Sequence, residues 1–474
     1  MGNPKAFLTI DRKEAGYRPV HERKTDYGEV EQTLNNEDRM LQASRCMDCG
    51  VPFCHWACPL DNKMPEYNDL LYKGKWKQAW ELLAETNDFP EFTGRICPAL
   101  CEKSCVLNIQ HSAITIRENE ASLTERAFSE GWIRPKPPKK RTGKKVAIIG
   151  SGPAGLAVAN NLNQIGYEVT VYEKAPQSGG LLRFGIPNFK LNKNIIDRRL
   201  ALMESEGVRF VNHAEIGRTI SFKEIQHSND AICLCIGAGK PRDLPVEGRE
   251  FAGIHFALDF LVQQNYKLAG IPLVGEELSA KGKHVLVIGG GDTGSDCVGT
   301  ANRQGAVQVT QIELLPMPPT GENPLTPWPY WPNVLKNSTS HEEGCERYWS
   351  LTTKRFIGHD GRLKEVEIAE AEWVIDSATG RATMKETGKT NIIKADMVLL
   401  AMGFVYPEHE GLLDEIGVTY DNRGNISTDS RQSSSIKGIF AAGDAASGAS
   451  LVVRAMASGK KAAQSIHSYL SEKS

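Results

Sequence analysis

The sequence predicts an α/β protein in which a small, mainly helical module precedes two domains of alternating strands and helices. Seven of the eleven cysteines lie between Cys46 and Cys105, among residues with helical apolar spacing. A strand, a glycine-rich turn and a helix then follow one another twice, first from residue 145 and again from residue 284. The length of 474 residues also exceeds what one hydrophobic core usually holds, about 250 to 300 residues.

The charge balance and the apolar pattern give no support for a nucleic-acid or membrane partner. Lys and Arg number 56 against 58 Asp and Glu, so the net charge of -2 gives no electrostatic reason to expect nucleic acid or an anionic membrane. No apolar run approaches the roughly 20 residues that span a bilayer, and the first residues lack a signal-peptide core. We therefore expect a cytoplasmic protein, in whose reducing surroundings clustered thiols bind metal more often than they form disulfides.

The N-terminal module is expected to be helical over 64–83 and 116–128. Residues 134–145 are rich in proline and basic side chains, which disfavour a helix, and we interpret them as a solvated linker rather than a nucleic-acid patch. A second proline-rich and aromatic stretch, 316–349, is expected to be a packed loop, with a partner-docking surface as the alternative.

The first glycine motif lies between a predicted strand, 145–149, and a predicted helix, 154–165. Glycines at such a turn allow a sharp bend, close approach of the backbone to a pyrophosphate and tight packing of the helix on the strand. An acidic residue follows 23 positions after the first glycine, where it can accept hydrogen bonds from ribose hydroxyls. This predicts a dinucleotide site built from Gly150, Gly152, Pro153, Ala154, Gly155 and Glu173.

The second glycine motif repeats this arrangement after the strand 284–288. Its acidic residue comes 24 positions after the first glycine. An enzyme with two dinucleotide folds most simply holds a flavin in one and a nicotinamide nucleotide in the other. The predicted residues of this site are Gly289, Gly291, Asp292, Thr293, Gly294 and Glu313.

The C-terminal stretch Gly-Ile-Phe-Ala-Ala-Gly443-Asp444 resembles the flavoprotein disulfide-reductase superfamily. That resemblance implies an FAD domain closed by the C-terminal segment, with the NAD(P) domain inserted. It assigns FAD to the first glycine motif, Glu173, Gly443 and Asp444, although Asp444 could be an ordinary helix cap. Gly180 and Leu181, in a glycine-bearing segment, are expected beside the flavin, with a plain turn as the alternative. We predict domains at 1–140 (helical), 141–280 (FAD), 281–402 (NAD(P)) and 403–474 (FAD, continued).

The cysteines form two runs, C-x2-C-x4-C-x3-C-P from Cys46 and C-P-x2-C-x3-C from Cys97. Such spacing is typical of iron-sulfur ligands, and a flavin reduced by hydride needs one-electron acceptors. Two 4Fe-4S clusters need eight ligands, whereas the runs supply seven cysteines. Zinc, with His55 or His111 as an extra ligand, is the alternative.

Motifs along nearly the whole chain, among them CMDCGVPFC, GRICPALCEKSC, GGLLRFGIPNFKL and FAAGDAASGASLVV, resemble the small (beta) subunit of glutamate synthase. The N-terminal architecture is also similar to that of dihydropyrimidine dehydrogenase. The resemblance implies one cluster on Cys46, Cys49, Cys54 and Cys105, and another on Cys58, Cys97, Cys101 and Glu120. A glutamate in a helix is more often solvated, so the assignment of Glu120 as a cluster ligand depends on the resemblance.

The resemblance implies that NAD(P)H reduces FAD and that electrons pass through two 4Fe-4S clusters to a large (alpha) subunit, which makes L-glutamate from L-glutamine and 2-oxoglutarate. No side chain is expected to act as acid or base, because the cofactors carry the chemistry. Bacterial relatives commonly use NADPH and their plant counterparts NADH, so the resemblance leads us to expect NADPH, whose 2'-phosphate Arg303 could bind. Glu313, taken by itself, favours the alternative, NADH. The alternatives are another acceptor, such as ferredoxin or a pyrimidine-reducing partner, and a metal-stabilised scaffold without turnover.

Overall fold

The computed structural model describes residue 3, residues 5–375 and residues 382–472. The N-terminal module consists of short helices joined by irregular segments and one 3-10 turn, Val106–Ile109. Its helices are α1 (Ala6–Thr9), α2 (Val20–Arg23), α3 (Asn36–Ser44), α4 (Phe53–Ala57), α5 (Met64–Tyr72), α6 (Trp76–Thr86), α7 (Pro90–Ile96), α8 (Leu100–Lys103) and α9 (Ile116–Ser129).

The region 64–83, expected to be helical, forms two helices, α5 and α6. Gly74 takes φ +70, a left-handed conformation that ends α5 and lets the chain turn into α6. One face of α6 is then buried at helical spacing, by Trp76, Ala79, Trp80 and Leu83. This face belongs to a core that continues into the first sheet, so the module packs on the following domain rather than standing apart from it.

The first domain contains four parallel strands in its N-terminal part. Apolar residues fill β1 and β4, which are buried on both faces as expected for central parallel strands. The elements are β1 (Lys145–Ile149), α10 (Pro153–Ile165), β2 (Glu168–Tyr172), α11 (Gly180–Phe184), α12 (Lys193–Ser205), β3 (Arg209–Val211), α13 (Phe222–Ser228) and β4 (Ala231–Leu234).

The second domain has a parallel sheet of order β5-β12-β6-β7-β8 and an antiparallel sheet of order β11-β10-β9. Its parallel sheet takes a strand from residues 254–256, ahead of residue 281 where the sequence predicted this domain to begin. Its elements are β5 (Ile254–Phe256), α14 (Ala257–Leu268), β6 (His284–Ile288), α15 (Asp292–Gln304), β7 (Gln308–Ile312), α16 (Thr339–Glu342), β8 (Glu346–Tyr348), β9 (Leu351–His359), β10 (Arg362–Ile375), β11 (Ala382–Lys394) and β12 (Met397–Leu400).

The C-terminal segment returns to the first domain. It forms α17 (Leu412–Ile416), β13 (Ile439–Ala441), α18 (Asp444–Ser447) and α19 (Val452–Glu472). β13 pairs in parallel with β4 and completes a sheet of order β13-β4-β1-β2-β3. α19 lies so close to α10 that a Cβ on Gly459 would stand 2.4 Å from the carbonyl oxygen of Ala154. The second domain is therefore inserted between β4 and β13.

The predicted linker, 134–145, packs on the first domain. Arg141 donates to Asn163 Oδ1 at 2.7 Å and to the carbonyl oxygens of Tyr167 and Glu206 at 2.8 and 2.9 Å. These contacts fix the linker along the end of α10. In the described part of the chain no helix is both long and apolar enough to cross a bilayer.

Candidate functional site

The first glycine turn lies at the carboxyl end of β1, where ligands of open α/β sheets bind. Gly150 takes φ +103, and a Cβ there would lie 2.3 Å from the carbonyl oxygen of Cys235. A Cβ on Gly155 would lie 2.0 Å from the carbonyl oxygen of Gly150. A Cβ on Gly152, by contrast, would meet nothing within 4 Å. Gly150 and Gly155 therefore pack tightly against the rest of the chain, whereas the backbone at Gly152 is open beside the start of α10. A pyrophosphate requires such an open backbone.

Glu173 is held at this turn. Its side chain is almost fully buried at the end of β2. Oε2 accepts hydrogen bonds from the hydroxyl and backbone nitrogen of Ser151, at 2.5 and 3.2 Å. Oε1 accepts from the backbone nitrogen of Ala175 at 2.8 Å. The carboxylate is thus oriented beside the glycine turn, where a ribose would be bound.

Two more predicted glycines, Gly180 and Gly443, meet the same turn, and Leu181 and Asp444 follow them in the chain. A Cβ on Gly180, at the start of α11, would lie 2.8 Å from the Cα of Gly152, and a Cβ on Gly443 would lie 2.7 Å from the Cβ of Ala154. Burial raises the pKa of Asp444 to about 6, and Ser450 Oγ donates to its Oδ1 at 3.1 Å. Leu181 follows Gly180 and is 43 % exposed. The structure thus brings the first motif, the segment at 180 and the C-terminal Gly-Asp together.

The second glycine turn, after β6, repeats the first. Gly289 and Gly294 are closely packed, since a Cβ on Gly294 would lie 2.3 Å from the carbonyl oxygen of Gly289, whereas Gly291 faces open space. Asp292 and Thr293 form the first turn of α15. Glu313 Oε2 accepts from the backbone nitrogen of Gly290 at 2.6 Å. The carboxylate therefore lies directly beside the open turn.

Arg303 is the predicted site residue that the structure places elsewhere. Its guanidinium donates to both carboxylate oxygens of Glu343, and neither side chain is accessible to solvent. It also donates to the carbonyl oxygens of Asp26 and Gly299 at 3.0 Å, and it lies 3.8 Å from the centre of the Phe189 ring. This enclosure by groups of its own chain does not match a phosphate-binding role.

Four cysteines of the N-terminal module line one pocket. Its remaining walls are mostly apolar, including Met64, Pro65, Leu107 and Ile114. Burial raises the pKa of Cys46 to about 12, and the nearby Cys105 raises it further. Thiolates here need a cation, which iron would supply. The cysteines are Cys46, Cys49, Cys54 and Cys105, the set that the resemblance assigns to one cluster.

The other three cysteines of the module lie within electrostatic range of Glu120. Burial raises the pKa of Cys58 to about 12 and that of Cys97 to about 11, and the charge of Glu120 raises both further. The pKa of Cys101 is also raised, mainly by burial and further by the nearby Glu120, Cys58 and Cys97. These four side chains therefore lie within electrostatic reach of one another.

Glu120 is buried, and among the residues that the structure describes it forms no ion pair with a cationic side chain. Burial raises its pKa to about 7. Its hydrogen-bond donors are neutral, namely Asn62 Nδ2 at 3.0 Å, the Tyr67 hydroxyl at 3.4 Å and the Thr93 hydroxyl at 3.4 Å. Buried carboxylates are normally paired with a cation or coordinate a metal. The set of three thiols and one carboxylate therefore fits a cluster that brings its own positive charge.

No group of three or more His, Cys, Asp or Glu side chains converges on a single metal ion in the residues that the structure describes. The sulfurs around a cubane each bind a different iron and so lie farther apart than the ligands of one zinc ion. All eleven cysteines are free thiols.

The aromatic segment 316–349 packs against the N-terminal module beside the four-cysteine cavity. Trp328 lies over Phe53, with ring centres 4.8 Å apart, and Ser104 Oγ donates to the carbonyl oxygen of Pro329 at 2.6 Å. Tyr330 contacts Trp56 edge to face at 5.8 Å. Trp56 and Tyr330 nevertheless remain 59 % and 60 % exposed. The predicted loop is therefore irregular only up to α16 and β8, and its aromatic part packs on the module while leaving an exposed aromatic surface at its rim.

Sequence reasoning missed the supporting residues of these sites. Ser151 lies inside the first glycine motif, where a hydroxyl between two glycines could have been noted. Three residues converge on Glu120 from separate elements: Asn62 from the segment before α5, Tyr67 from α5 and Thr93 from α7. No local sequence pattern relates them.

Comparisons with known proteins agree with this architecture. The pyridine nucleotide-disulphide oxidoreductase family matches residues 144–459, and the 4Fe-4S domain II of dihydropyrimidine dehydrogenase matches residues 23–132. Among solved structures, Mycobacterium tuberculosis FprA in complex with NADPH shares the fold, with a TM-score of 0.55 at 16 % identity over 71 % of this chain and 85 % of that one. The expected cofactors, FAD, a nicotinamide nucleotide and 4Fe-4S clusters, are confirmed by the two family descriptions.

Curated relatives match almost end to end. The glutamate synthase [NADPH] small chain of Mycobacterium tuberculosis H37Rv is 46 % identical, over 99 % of this chain and 96 % of its own length. That of Bacillus subtilis is 42 % identical over 99 % of both. The glutamate synthase [NADH] of Saccharomyces cerevisiae is 42 % identical over 98 % of this chain and 22 % of its own length. The two cysteine groups, the two glycine turns and this similarity together show that the chain belongs to the glutamate synthase small chain family.

Proposed function

We propose that this chain is the reducing subunit of a glutamate synthase. It takes electrons from NAD(P)H at FAD and passes them through 4Fe-4S clusters to a large (alpha) subunit, which forms L-glutamate from L-glutamine and 2-oxoglutarate. The observation that supports this most is the 46 % identity to a glutamate synthase small chain over 99 % of this chain, which spans every site described above. The free thiols support a reducing, cytoplasmic location.

FAD would be held at the first glycine turn. Gly152 leaves the backbone open for the pyrophosphate, Glu173 is oriented toward a ribose, and Asp444 lies where the C-terminal segment meets the turn. When bound, the flavin supplies the exchange between two-electron hydride transfer and one-electron carriers. The chain's own contribution is to bind and orient. The complete set proposed for FAD is Gly150, Gly152, Pro153, Ala154, Gly155, Glu173, Gly180, Leu181, Gly443 and Asp444.

The clusters would be held by the two cysteine groups. Cys46, Cys49, Cys54 and Cys105, which line one pocket, would hold one cluster there. The second would take Cys58, Cys97, Cys101 and Glu120, whose buried carboxylate has no cation within its hydrogen-bonding set. Thiolate ligands and the hydrogen bonds around them set cluster potentials.

We further propose that the nicotinamide donor is NADH, although the resemblance had favoured NADPH. Glu313 places a carboxylate beside the open second turn, where it would accept from a ribose 2'-hydroxyl and repel a 2'-phosphate. Arg303, the basic residue expected to receive that phosphate, is enclosed by Glu343. Gly289, Gly291, Asp292, Thr293, Gly294 and Glu313 complete the proposed site.

The exposed aromatic surface formed by Trp56 and Tyr330 is the proposed contact with the large subunit. It borders the four-cysteine cavity, so a partner docked there would lie close to that cluster. Aromatic side chains are enriched at the energetic centres of interfaces. We expect Trp56→Ala to weaken co-purification with the large subunit and to leave dye reduction by the isolated chain unchanged.

The test of the proposed function begins with anaerobic purification and analysis of flavin, iron and sulfide. The chain is then titrated with NADH and NADPH separately, using an artificial one-electron dye as acceptor, and finally mixed with a glutamate synthase large subunit. NADH-driven glutamate formation only in the mixture supports the proposal. Dye reduction without glutamate formation would favour another acceptor, and a colourless, iron-free chain would overturn the redox role.

A further inference from the structure

The carboxylate of Glu120 has a hydrogen-bonding pattern that distinguishes its two oxygens. Within the described residues, Oε1 accepts from Asn62 Nδ2 and from the Tyr67 hydroxyl, whereas Oε2 accepts from the Thr93 hydroxyl alone. An ionised carboxylate has roughly four lone-pair sites, two on each oxygen. Three donors therefore leave one lone pair, and it belongs to Oε2.

Two of these donors are themselves oriented by neighbours. Asn62 Oδ1 accepts from the Thr86 hydroxyl at 2.9 Å, which turns the amide nitrogen toward Glu120. The Thr93 hydroxyl accepts from Asn87 Nδ2 at 2.9 Å, which leaves its hydrogen free for Oε2. Thr86, the last residue of α6, and Asn87 are adjacent, so one short turn at the end of α6 orients both donors.

That turn, residues 86–88, is anchored on the FAD domain. The carbonyl oxygen of Thr86 accepts from Lys460 Nζ, on α19, at 2.5 Å. Asp88 accepts from Asn160 and Asn161, on α10, at 3.1 and 2.9 Å. α10 is the helix that begins at the first glycine turn. The orientation of the Glu120 donors is thus tied to the two helices that pack beside the proposed flavin site.

We propose that Asn62 and Thr93 are positioning residues that present Oε2 of Glu120 to the cluster of Cys58, Cys97 and Cys101, and that the 86–88 turn sets their direction from the FAD domain. The inference rests on the proposed ligand role of Glu120. It specifies which oxygen binds iron and which residues aim it.

The experiment compares isosteric variants in the full chain, purified without oxygen. Thr93→Val and Asn62→Leu remove the donors, Thr93→Ser retains the hydroxyl, and Lys460→Met releases the turn. Thr124→Val is the matched control, because Thr124 is an equally buried threonine whose hydroxyl bonds the backbone oxygen of Glu120, at 2.8 Å, and not its carboxylate. Iron and sulfide per chain, the electron paramagnetic resonance spectrum of each reduced cluster and the rate of iron loss to a chelator are measured.

We expect Thr93→Val and Asn62→Leu to change the spectrum of one cluster only and to weaken its iron affinity by about 10- to 100-fold, the usual effect of removing a partner of a metal ligand, so that the chelator removes its iron faster. Thr93→Ser should restore the native spectrum, and Lys460→Met should give a smaller change of the same kind. Thr124→Val should leave both spectra unaltered.

Equal behaviour of Thr93→Val and Thr124→Val would overturn the positioning role. The ligand role is tested separately by Glu120→Ala, which should change the spectrum of the same cluster. If Glu120→Ala leaves both clusters native, the proposed ligand is wrong. If Glu120→Ala changes one spectrum while Thr93→Val and Asn62→Leu change neither, only the positioning inference fails.

Discussion

Arg303 and Glu343 form an ion pair in which neither side chain is accessible to solvent. Glu343 also accepts from Arg23 Nε at 2.9 Å, so one carboxylate is paired with two arginines that lie far apart in the sequence. Arg23 belongs to the N-terminal module, and Arg303 lies on Phe189 of the first domain. The pair therefore fixes the second domain against both of its neighbours.

Replacing Arg303 tests whether it is structural. We expect Arg303→Gln to leave the ratio of kcat/KM for NADH and NADPH unchanged, and to destabilise the chain by about 3 to 5 kcal/mol, because Glu343 would lose a buried partner. Thermal unfolding and steady-state kinetics measure the two effects. Lys354→Gln, which breaks the exposed pair with Glu386, is the control and should cost at most about 1 kcal/mol. A tenfold change in nucleotide preference would contradict the structural role.

Replacing Glu313 tests the nicotinamide preference. Glu313→Gln removes the charge facing a 2'-phosphate while an oxygen can still accept from Gly290. We expect kcat/KM for NADPH to rise about tenfold relative to NADH, equivalent to about 1.4 kcal/mol. Glu346→Gln, a charge-removing change at β8 in the same sheet, should leave the ratio as it was. An unaltered ratio in Glu313→Gln would argue against this carboxylate as the selective group.

Cysteine variants test whether the two groups hold separate clusters. Cys54→Ser removes a wall of the four-cysteine cavity, and Cys101→Ser removes a neighbour of Glu120. Each should lose the iron of one cluster and keep the spectrum of the other. Cys345→Ser, in the second domain, should keep both. Identical spectra for Cys54→Ser and Cys101→Ser would show that the groups are not independent.

Asp444 gives a pH-dependent stability to the flavin-free chain. Burial raises its pKa to about 6, above the unfolded value near 3.9, so the unfolded state loses this proton first as pH rises. Its contribution to stability is present below about pH 4 and is lost between about pH 4 and 6. Asp444→Asn should therefore stabilise the apoprotein at pH 7, by at most about 3 kcal/mol, and weaken FAD retention.

The comparison of denaturant midpoints at two pH values checks this origin. At pH 4 the carboxyl group is mostly protonated in the fold, and the difference between Asp444→Asn and the parent chain should nearly vanish. A stabilisation of equal size at both pH values would assign the effect to packing instead.

The features predicted correctly from sequence were those set by neighbouring residues. The strand, turn and helix around Gly150 and Gly289 follow from apolar runs that end in glycines, and the structure has them almost as predicted. The start of the second sheet at Ile254 was missed, because no glycine turn follows that strand. The apolar pattern over 64–83 indicated helical structure but not the division into α5 and α6, which depends on the left-handed conformation of a single residue, Gly74.

The features that could not be predicted depend on residues far apart in sequence. Arg303 suggested a phosphate ligand by its position in the motif helix, but its partner Glu343 comes 40 residues later and Arg23 lies 320 residues before that partner. Glu120 was proposed as a ligand from the resemblance alone. Its donors come from separate elements, so only the fold shows why that carboxylate is held in place.

The pairing of β13 with β4 also determines an order of events during synthesis. β4 emerges from the ribosome long before β13, and the whole inserted domain is translated between them. Until β13 has been synthesised, the edge of β4 has unpaired backbone groups that can pair with strands of other chains. Such pairing is a known route to aggregation. Nascent chains stalled between Leu400 and Ile439 should therefore be the species that needs a chaperone most.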